Sequence, residues 1–190
     1  MDQKPVNAQA EHYLSQLLTA VADHPAKCAL ALDAIPVPVY MTDVGGAVTY
    51  WNAACVEFAG RQPELGRDRW CVTWRLYTMT GEPLPHEDCP MALAIRGREA
   101  RRGDIAIALR PDGSRRAFNP YPVPLFDEDG ELTGAVNMLI DVTDEQAEAL
   151  ASQSERCRRL AAAIDDRQAS AVLKAMADGY DTTAGELGKA

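Results

Sequence analysis

An α+β fold built on one five-stranded antiparallel sheet is what this 190-residue sequence predicts, and three observations carry the prediction. Apolar residues alternate along five short runs, the period of a half-buried strand. Glycine-containing turns join neighbouring runs closely enough for hairpins. The helical patterns enter after the second run rather than between every pair, unlike the βαβ order of a parallel sheet.

Residues 1–33 form a helical arm. Tyr13, Leu14, Leu17, Leu18, Val21 and Ala22 recur at three- and four-residue spacing and make one apolar stripe that must be covered. Pro25 interrupts the pattern, so the arm is expected as two helices or one kinked helix, the second running from Ala26 to Ala34.

The first hairpin lies in PVPVYMTDVGGAVTYWNAA. Val37, Val39 and Met41 alternate, Gly45 and Gly46 supply a turn that tolerates positive φ, and Val48 and Tyr50 resume the alternation. Asn52 follows the second strand, where its short side chain can cap the next helix, AACVEFAG. A second helix, MALAIRGRE, follows His86-Glu87-Asp88-Cys89. Three more strands close the domain: one through Ile105, Ile107 and Leu109, one from Phe118 to Leu125 after a Pro111-Asp112-Gly113 turn, and one from Leu132 to Val142 after Asp129-Gly130.

The sheet domain thus spans residues 34–144. Residues 145–180 are strongly helical, with no Gly or Pro before Gly179. Leu150, Cys157, Ile164 and Ala171, seven residues apart, outline a short heptad seam weakened by small and polar neighbours. Glu155 and Arg159 offer an i,i+4 ion pair. Residues 181–190 read as a disordered tail.

Composition narrows the function. A net charge of -9 argues against a nucleic-acid surface, which draws on clustered Lys and Arg; the Arg96, Arg98, Arg101, Arg102 group reads as a solvated helix end and strand start. Apolar runs stop short of a membrane span, and the N-terminus lacks a basic region followed by an apolar core, which together predict a cytoplasmic protein. Five widely spaced cysteines, Cys28, Cys55, Cys71, Cys89 and Cys157, suit free thiols in a reducing compartment.

The span from about Ala34 to Asp144 resembles a PAS domain, the sensor and interaction fold common in bacterial signalling. The residues that carry the resemblance are the TDVGGAVTYWN hairpin with Asn52, the AACVEFAG helix, the PDGS and DEDGELTG turns and the closing Asp141-Val142-Thr143. The stretch GRQPELGRDRWCVTWRLYTMTGEPLPHEDCPMALAIRGRE is similar to the central region of PAS domains found before histidine-kinase cores of the HWE type. The resemblance implies that the N-terminal helix packs against the sheet or a second subunit, and that a pocket lies between the inner sheet face and the helices after the second strand. Tyr40, Trp70, Trp74, Tyr77 and His86 are candidates to line it, with Met91, Ile95, Phe118, Tyr121 and Met138. Such a set makes either a small-molecule site or a filled core. The resemblance also implies that Asn52, Asp141 and Thr143 serve the junction that couples the last strand to the outgoing helix; an ordinary N-cap at Thr143 or Asp144 is the other reading.

His86 and Cys89 invite a haem or metal reading, against which the acidic residues between them suit a helix entry flanked by Pro85 and Pro90. The segment comparable to the flavin-reactive motif of LOV domains, Gly66 to Cys71, lacks its Asn, Gln and spacing, so flavin photochemistry is not expected. Signatures of hydrolases, phosphate-binding loops, zinc proteases and dinucleotide folds are missing, and no enzymatic activity is expected.

The reading is a non-enzymatic sensory protein, a homodimer through Tyr13, Leu14, Leu17, Leu18 and Val21 or through Leu150, Cys157 and Ile164, passing ligand or partner binding to a histidine kinase or regulator through its flanking helices. Three alternatives stand beside it: an interaction module with a filled core, a haem, flavin or small-molecule sensor, and the N-terminal sensor fragment of a longer kinase. SERCRRLAAAIDD, similar to linkers that precede a kinase unit, keeps the last open; Met1 and the polar tail favour a complete chain.

Overall fold

The computed structural model describes residues 4–23 and 28–187. The sheet holds strands β1 (Val39–Asp43), β2 (Val48–Trp51), β3 (Arg75–Tyr77), β4 (Pro83–Leu84), β5 (Ala106–Leu109), β6 (Arg115–Pro120), β7 (Val123–Phe126) and β8 (Leu132–Asp141). Their order is β2-β1-β8-β6-β5-β3-β4, and every strand pairing is antiparallel. The five predicted strands form its body. Three short strands join them: β3 and β4 extend one edge, and β7 arises because the predicted run from Phe118 to Leu125 divides at Tyr121-Pro122. Both halves of that divided run stay on β8, with β7 pairing its start and β6 its end.

Helices cover both faces. On the inner face, α3 (Ala53–Ala59) and α4 (Pro90–Gly97) pack onto a cluster that includes Tyr40, Phe58, Met91, Ile95, Phe118 and Leu139. Pro90 opens α4 at a position where no amide donor is needed. On the outer face lie α1 (Lys4–Asp23) and α2 (Cys28–Asp33), whose Leu14, Leu17, Val21 and Leu32 rest on Val39, Val136 and Met138. The apolar stripe of the arm is therefore covered by the chain's own sheet. Leu17 is 0% exposed, and Leu14 and Val21 are also buried. This corrects the expectation of a dimer seam along Leu14, Leu17 and Val21: their partner is intramolecular. Leu18, on the far side of the stripe, is exposed. Pro25, invoked for the break in the arm, lies outside the described residues.

The C-terminal region departs most from expectation. Instead of one helix to residue 180, α5 (Thr143–Ala163) ends at extended Ile164 and α6 (Arg167–Glu186) runs back along it. Asp166 starts α6 by accepting hydrogen bonds from the amides of Gln168 (2.8 Å) and Ala169 (3.1 Å). Small buried residues, Ser154, Cys157 and Ala161 on α5 and Ala177 on α6, line the helical hairpin. Arg158 fastens it, reaching Ser154, Asp178 and Asp181. The heptad reading fails because Ile164 sits at the break and is exposed, while Cys157 faces the chain's own second helix. Residues 181–186, expected as tail, complete α6; Leu187 is buried on the outer face with Ile107, Ala117 and Val142, beside an Arg115–Glu186 ion pair of 3.0 Å.

Candidate functional site

Strand alternation sorts the candidate pocket residues onto two faces. Tyr40, Met91, Ile95 and Phe118 meet in the inner cluster, with Trp70 packed against it. Met138 and Tyr121 belong to the outer cluster under α1, and Tyr77 packs against the outer cluster near α6. Those three cannot line an inner pocket, because odd and even positions of one strand face opposite ways: Met138 precedes inward Leu139. Trp74 is 43% exposed, with the Arg75 guanidinium 4.6 Å from its ring centre. Tyr40, Met91 and Phe118 are nearly fully buried, and Phe58 meets Phe118 edge to face at 5.6 Å. The inner face is thus lined by interlocked side chains.

Within that layer is a polar node. The Tyr40 hydroxyl donates to the Trp70 carbonyl (3.0 Å) and accepts from Asn137 Nδ2 (3.0 Å), while Asn137 Oδ1 accepts the Tyr121 amide (2.9 Å). The Cys89 thiol also points to the Trp70 carbonyl at 3.7 Å, and Thr73 Oγ1 donates to Cys71 Sγ at 3.2 Å. Burial pushes the Tyr40 hydroxyl well up and the Cys71 thiol up, and pushes Cys89 up to about 12. These groups are neutral hydrogen-bonding elements rather than nucleophiles.

Trp70 is held in an unusual backbone conformation, φ 65°, by its neighbours. Its amide donates to the Gly46 carbonyl at 2.6 Å, and its indole lies over Gly46, where a Cβ would fall 2.3 Å from the ring. Gly46 therefore serves two needs at once, a φ of 85° and room for the indole. Beyond Trp70 the surface opens into a hollow of about 740 Å³ lined by Trp70, Trp74, His86 and the arginines Arg61, Arg67 and Arg69. A neighbouring hollow of about 370 Å³ shares Trp74 and His86. His86 sits in a 3-10 turn (His86–Asp88) ahead of α4; its Nε2 is buried without a hydrogen-bond partner, and burial lowers its pKa. Cys89 lies in the inner cluster instead.

Asn52 occupies the N-cap position of α3 without capping it. Its side chain instead ties the arm to the sheet: Oδ1 accepts the Val39 amide (3.0 Å), and Nδ2 donates to the carbonyls of Leu32 (3.3 Å), Ile35 (3.2 Å) and Val37 (2.9 Å). At the other end of the sheet, Asp141 Oδ1 accepts the Thr143 amide (3.0 Å) and hydroxyl (2.5 Å), and Oδ2 accepts from Arg116 (2.7 Å). Thr143 Oγ1 in turn accepts the Ala117 amide at 3.1 Å, so strand β6, strand β8 and helix α5 share one knot. Leu150 is half-buried on α5 near this knot, and Tyr13 is half-buried on α1 against the outer cluster. The hollow and the Asn52 cluster are what sequence reasoning missed. Arg67, Asp68 and Arg69 were visible as charge around Trp70, but their convergence with His86 depends on the loop.

A family model described as the PAS fold matches residues 32–147. Among solved structures the chain is similar to an RNA-binding light-oxygen-voltage receptor at 24% identity and a TM-score of 0.51, covering 69% of this chain and 38% of that one. It is also similar to the PAS domain of a protein from Colwellia psychrerythraea (20% identity, TM-score 0.45, 61% of this chain and 94% of that one). A third is the LOV domain of the blue-light activated histidine kinase of Erythrobacter litoralis EL346 (21% identity, TM-score 0.43, 56% and 95%). At such identities the likeness is one of fold. No curated protein matches the chain.

Proposed function

The chain belongs to the PAS fold family, and on that premise we propose that it is a cytoplasmic bacterial signalling module whose residues 34–144 sense and whose flanking helices report. It acts without catalysis, as a homodimer, on a histidine kinase or response regulator of a two-component system, the HWE type among them. The observation that carries this reading is the Asp141–Thr143 knot, where the last strand, its neighbour β6 and the outgoing helix share one set of hydrogen bonds. A shift of β8 relative to β6 breaks or remakes those bonds. The helical hairpin then moves with the sheet.

Because α1 already covers the sheet, the dimer seam of this reading falls to the hairpin, where Leu160, Ile164, Val172 and Met176 are exposed. A ligand or partner moves the equilibrium by its differential affinity for the two arrangements.

Thr143→Val tests the coupling by hydrogen exchange. It removes one hydroxyl that both donates and accepts, a loss of about 1–2 kcal/mol. Amides of α5 and α6 should exchange faster, while those of α3 and α4 keep their rates. Unchanged exchange in the hairpin would sink the relay, and a single-chain mass in native mass spectrometry would sink the homodimer.

A further inference from the structure

We propose that the hollow beside Trp74 binds a small planar aromatic carboxylate. Its volume of about 740 Å³ is that of a site for a small organic molecule. Two indoles, Trp70 and Trp74, give it flat apolar walls. Trp74 keeps 43% of its surface in solvent, so a planar ring can cover the part of the indole that the Arg75 guanidinium, 4.6 Å from the ring centre, leaves open.

The charge of the lining selects an anion. Three guanidiniums, Arg61, Arg67 and Arg69, face two carboxylates, Asp68 and Glu87, in a chain whose net charge is -9. Asp68 is already neutralised: its Oδ2 accepts from Arg61 (2.7 Å) and from the Glu64 amide (2.8 Å). Arg61 spends a further donor on the Val72 carbonyl, so the excess positive charge rests on Arg67 and Arg69. Arg67 pairs with Glu64 only at the exposed surface, an interaction of little net worth that a ligand carboxylate can replace. Arg69 holds the Gly45 carbonyl with one nitrogen and keeps its other donors. His86 adds no charge at neutral pH, since burial lowers its pKa.

The walls are held in place before any ligand arrives. Trp70 is fixed by its amide bond to Gly46 and its carbonyl bond from Tyr40. Thr73, also in the lining, has its hydroxyl turned to Cys71, leaving recognition to the indoles and guanidiniums. One excess positive charge and two flat walls fit a monoanion on an aromatic ring better than a multiply charged phosphate. Trp70 also connects the hollow to the Tyr40–Asn137 node on β1 and β8, so occupancy is felt by the sheet. This goes beyond the signalling reading, and a failure here leaves the Thr143 experiment untouched.

The test is calorimetric titration of the whole chain with 2-naphthoate and with 2-naphthamide, which keeps the rings and loses the charge. Naphthoate should bind saturably at one site per chain, and both the amide and the Trp74→Ala variant should bind at least about tenfold more weakly. In nitrogen-15 spectra the indole signals of Trp70 and Trp74 should shift while that of Trp51 stays. Trp74 is exposed, so its replacement leaves the fold intact. Absence of saturable binding at millimolar naphthoate, equal affinity for the amide, an unaltered Trp74→Ala variant, or a shift confined to Trp51 would each overturn the proposal.

Discussion

Replacing Asn52 with Ala removes the most fully buried side chain that hydrogen-bonds the N-terminal arm to the sheet. Asn52 is 1% exposed and makes four hydrogen bonds, one accepted from the Val39 amide and three donated to carbonyls of residues 32, 35 and 37. The two Nδ2 protons are shared among three carbonyls, so about three bonds' worth at about 1 kcal/mol each is lost, and the Val39 amide is left buried and unpaired, so the loss should be roughly 3–4 kcal/mol. For a domain of this size that lowers Tm by roughly 10 °C. Urea unfolding should show a lower midpoint with an unchanged slope. Asn52→Asp sharpens the test, because it keeps the acceptor for Val39 while turning a buried carboxylate toward three carbonyl oxygens. That environment raises the folded pKa of the new acid above its unfolded value, so the variant should be most stable at low pH and lose stability as pH rises through the folded pKa. A loss below about 1 kcal/mol for Asn52→Ala would refute the reasoning. So would a pH-independent Asn52→Asp.

Leu17→Glu places a carboxylate where the residue is 0% exposed and should cost at least about 3 kcal/mol in thermal denaturation, whereas Leu18→Glu, at 37% exposure, should cost less than about 0.5 kcal/mol. Equal tolerance of both, with a dimer falling to monomer, would return α1 to a subunit seam. All five cysteines are buried, and burial pushes Cys55 and Cys89 up to about 12, so at pH 8 only about one in ten thousand of each is thiolate. An aromatic disulfide reagent should therefore leave these two untouched in the native protein and label them on denaturation; rapid native labelling would mean that the inner layer opens. Tyr50 donates to Asp33 Oδ1 at 2.6 Å, and burial, with that carboxylate, raises its pKa as burial raises that of Tyr40. Both groups stabilise the fold fully below their unfolded pKa of about 10 and lose that contribution as pH rises above it, so alkaline unfolding should accompany their ionisation in the ultraviolet spectrum. Titration of either tyrosine at its ordinary pH without unfolding would contradict these placements.

Local signals were sufficient for the hairpins and the first helix after them. Alternation at Val37 to Met41 and at Ile105 to Leu109, with Gly46 and Gly113 at positive φ, needed no long-range information. The division of the strand at Tyr121-Pro122 was legible in principle, since Pro122 cannot donate to a ladder, but the run on either side alternates without a gap. The break between α5 and α6 carried a signal too. Asp165-Asp166 is a capping pair inside a helical stretch, and Asp166 caps α6. What no local pattern could supply is partner choice: the stripe on α1 must be covered, but whether a sheet or a second chain covers it depends on the fold. The same limit scattered the pocket candidates. Tyr121 and Met138 have the chemistry of pocket walls; strand register sends Met138 to the outer face, and Tyr121, in the break between β6 and β7 with its amide on the Met138 carbonyl, joins it there.

That register gives β8 a position that no other strand among the described residues has. Ala135 and Leu139 point into the inner cluster, Val136 and Met138 support α1, and Ile140 packs against both the outer cluster under the arm and the one under the hairpin. Three residues later the strand has become α5, through Asp141 and Thr143. The arm and the hairpin therefore share one strand and one face, and side chains there interdigitate at a density that resists sliding. A change that loosens α1 removes support from Ile140 and, through it, from the base of the hairpin. A change at Tyr40 reaches the same strand from the other side through Asn137. With the outer face already occupied by the chain's own helices, the proposed partner, docking on that face, has either to bind the exposed side of the hairpin or to displace α1. Only the second route has to overcome the burial of Leu14, Leu17 and Val21, on the order of 1.5–3 kcal/mol for each side chain. The hairpin is the cheaper surface on which to deliver a signal.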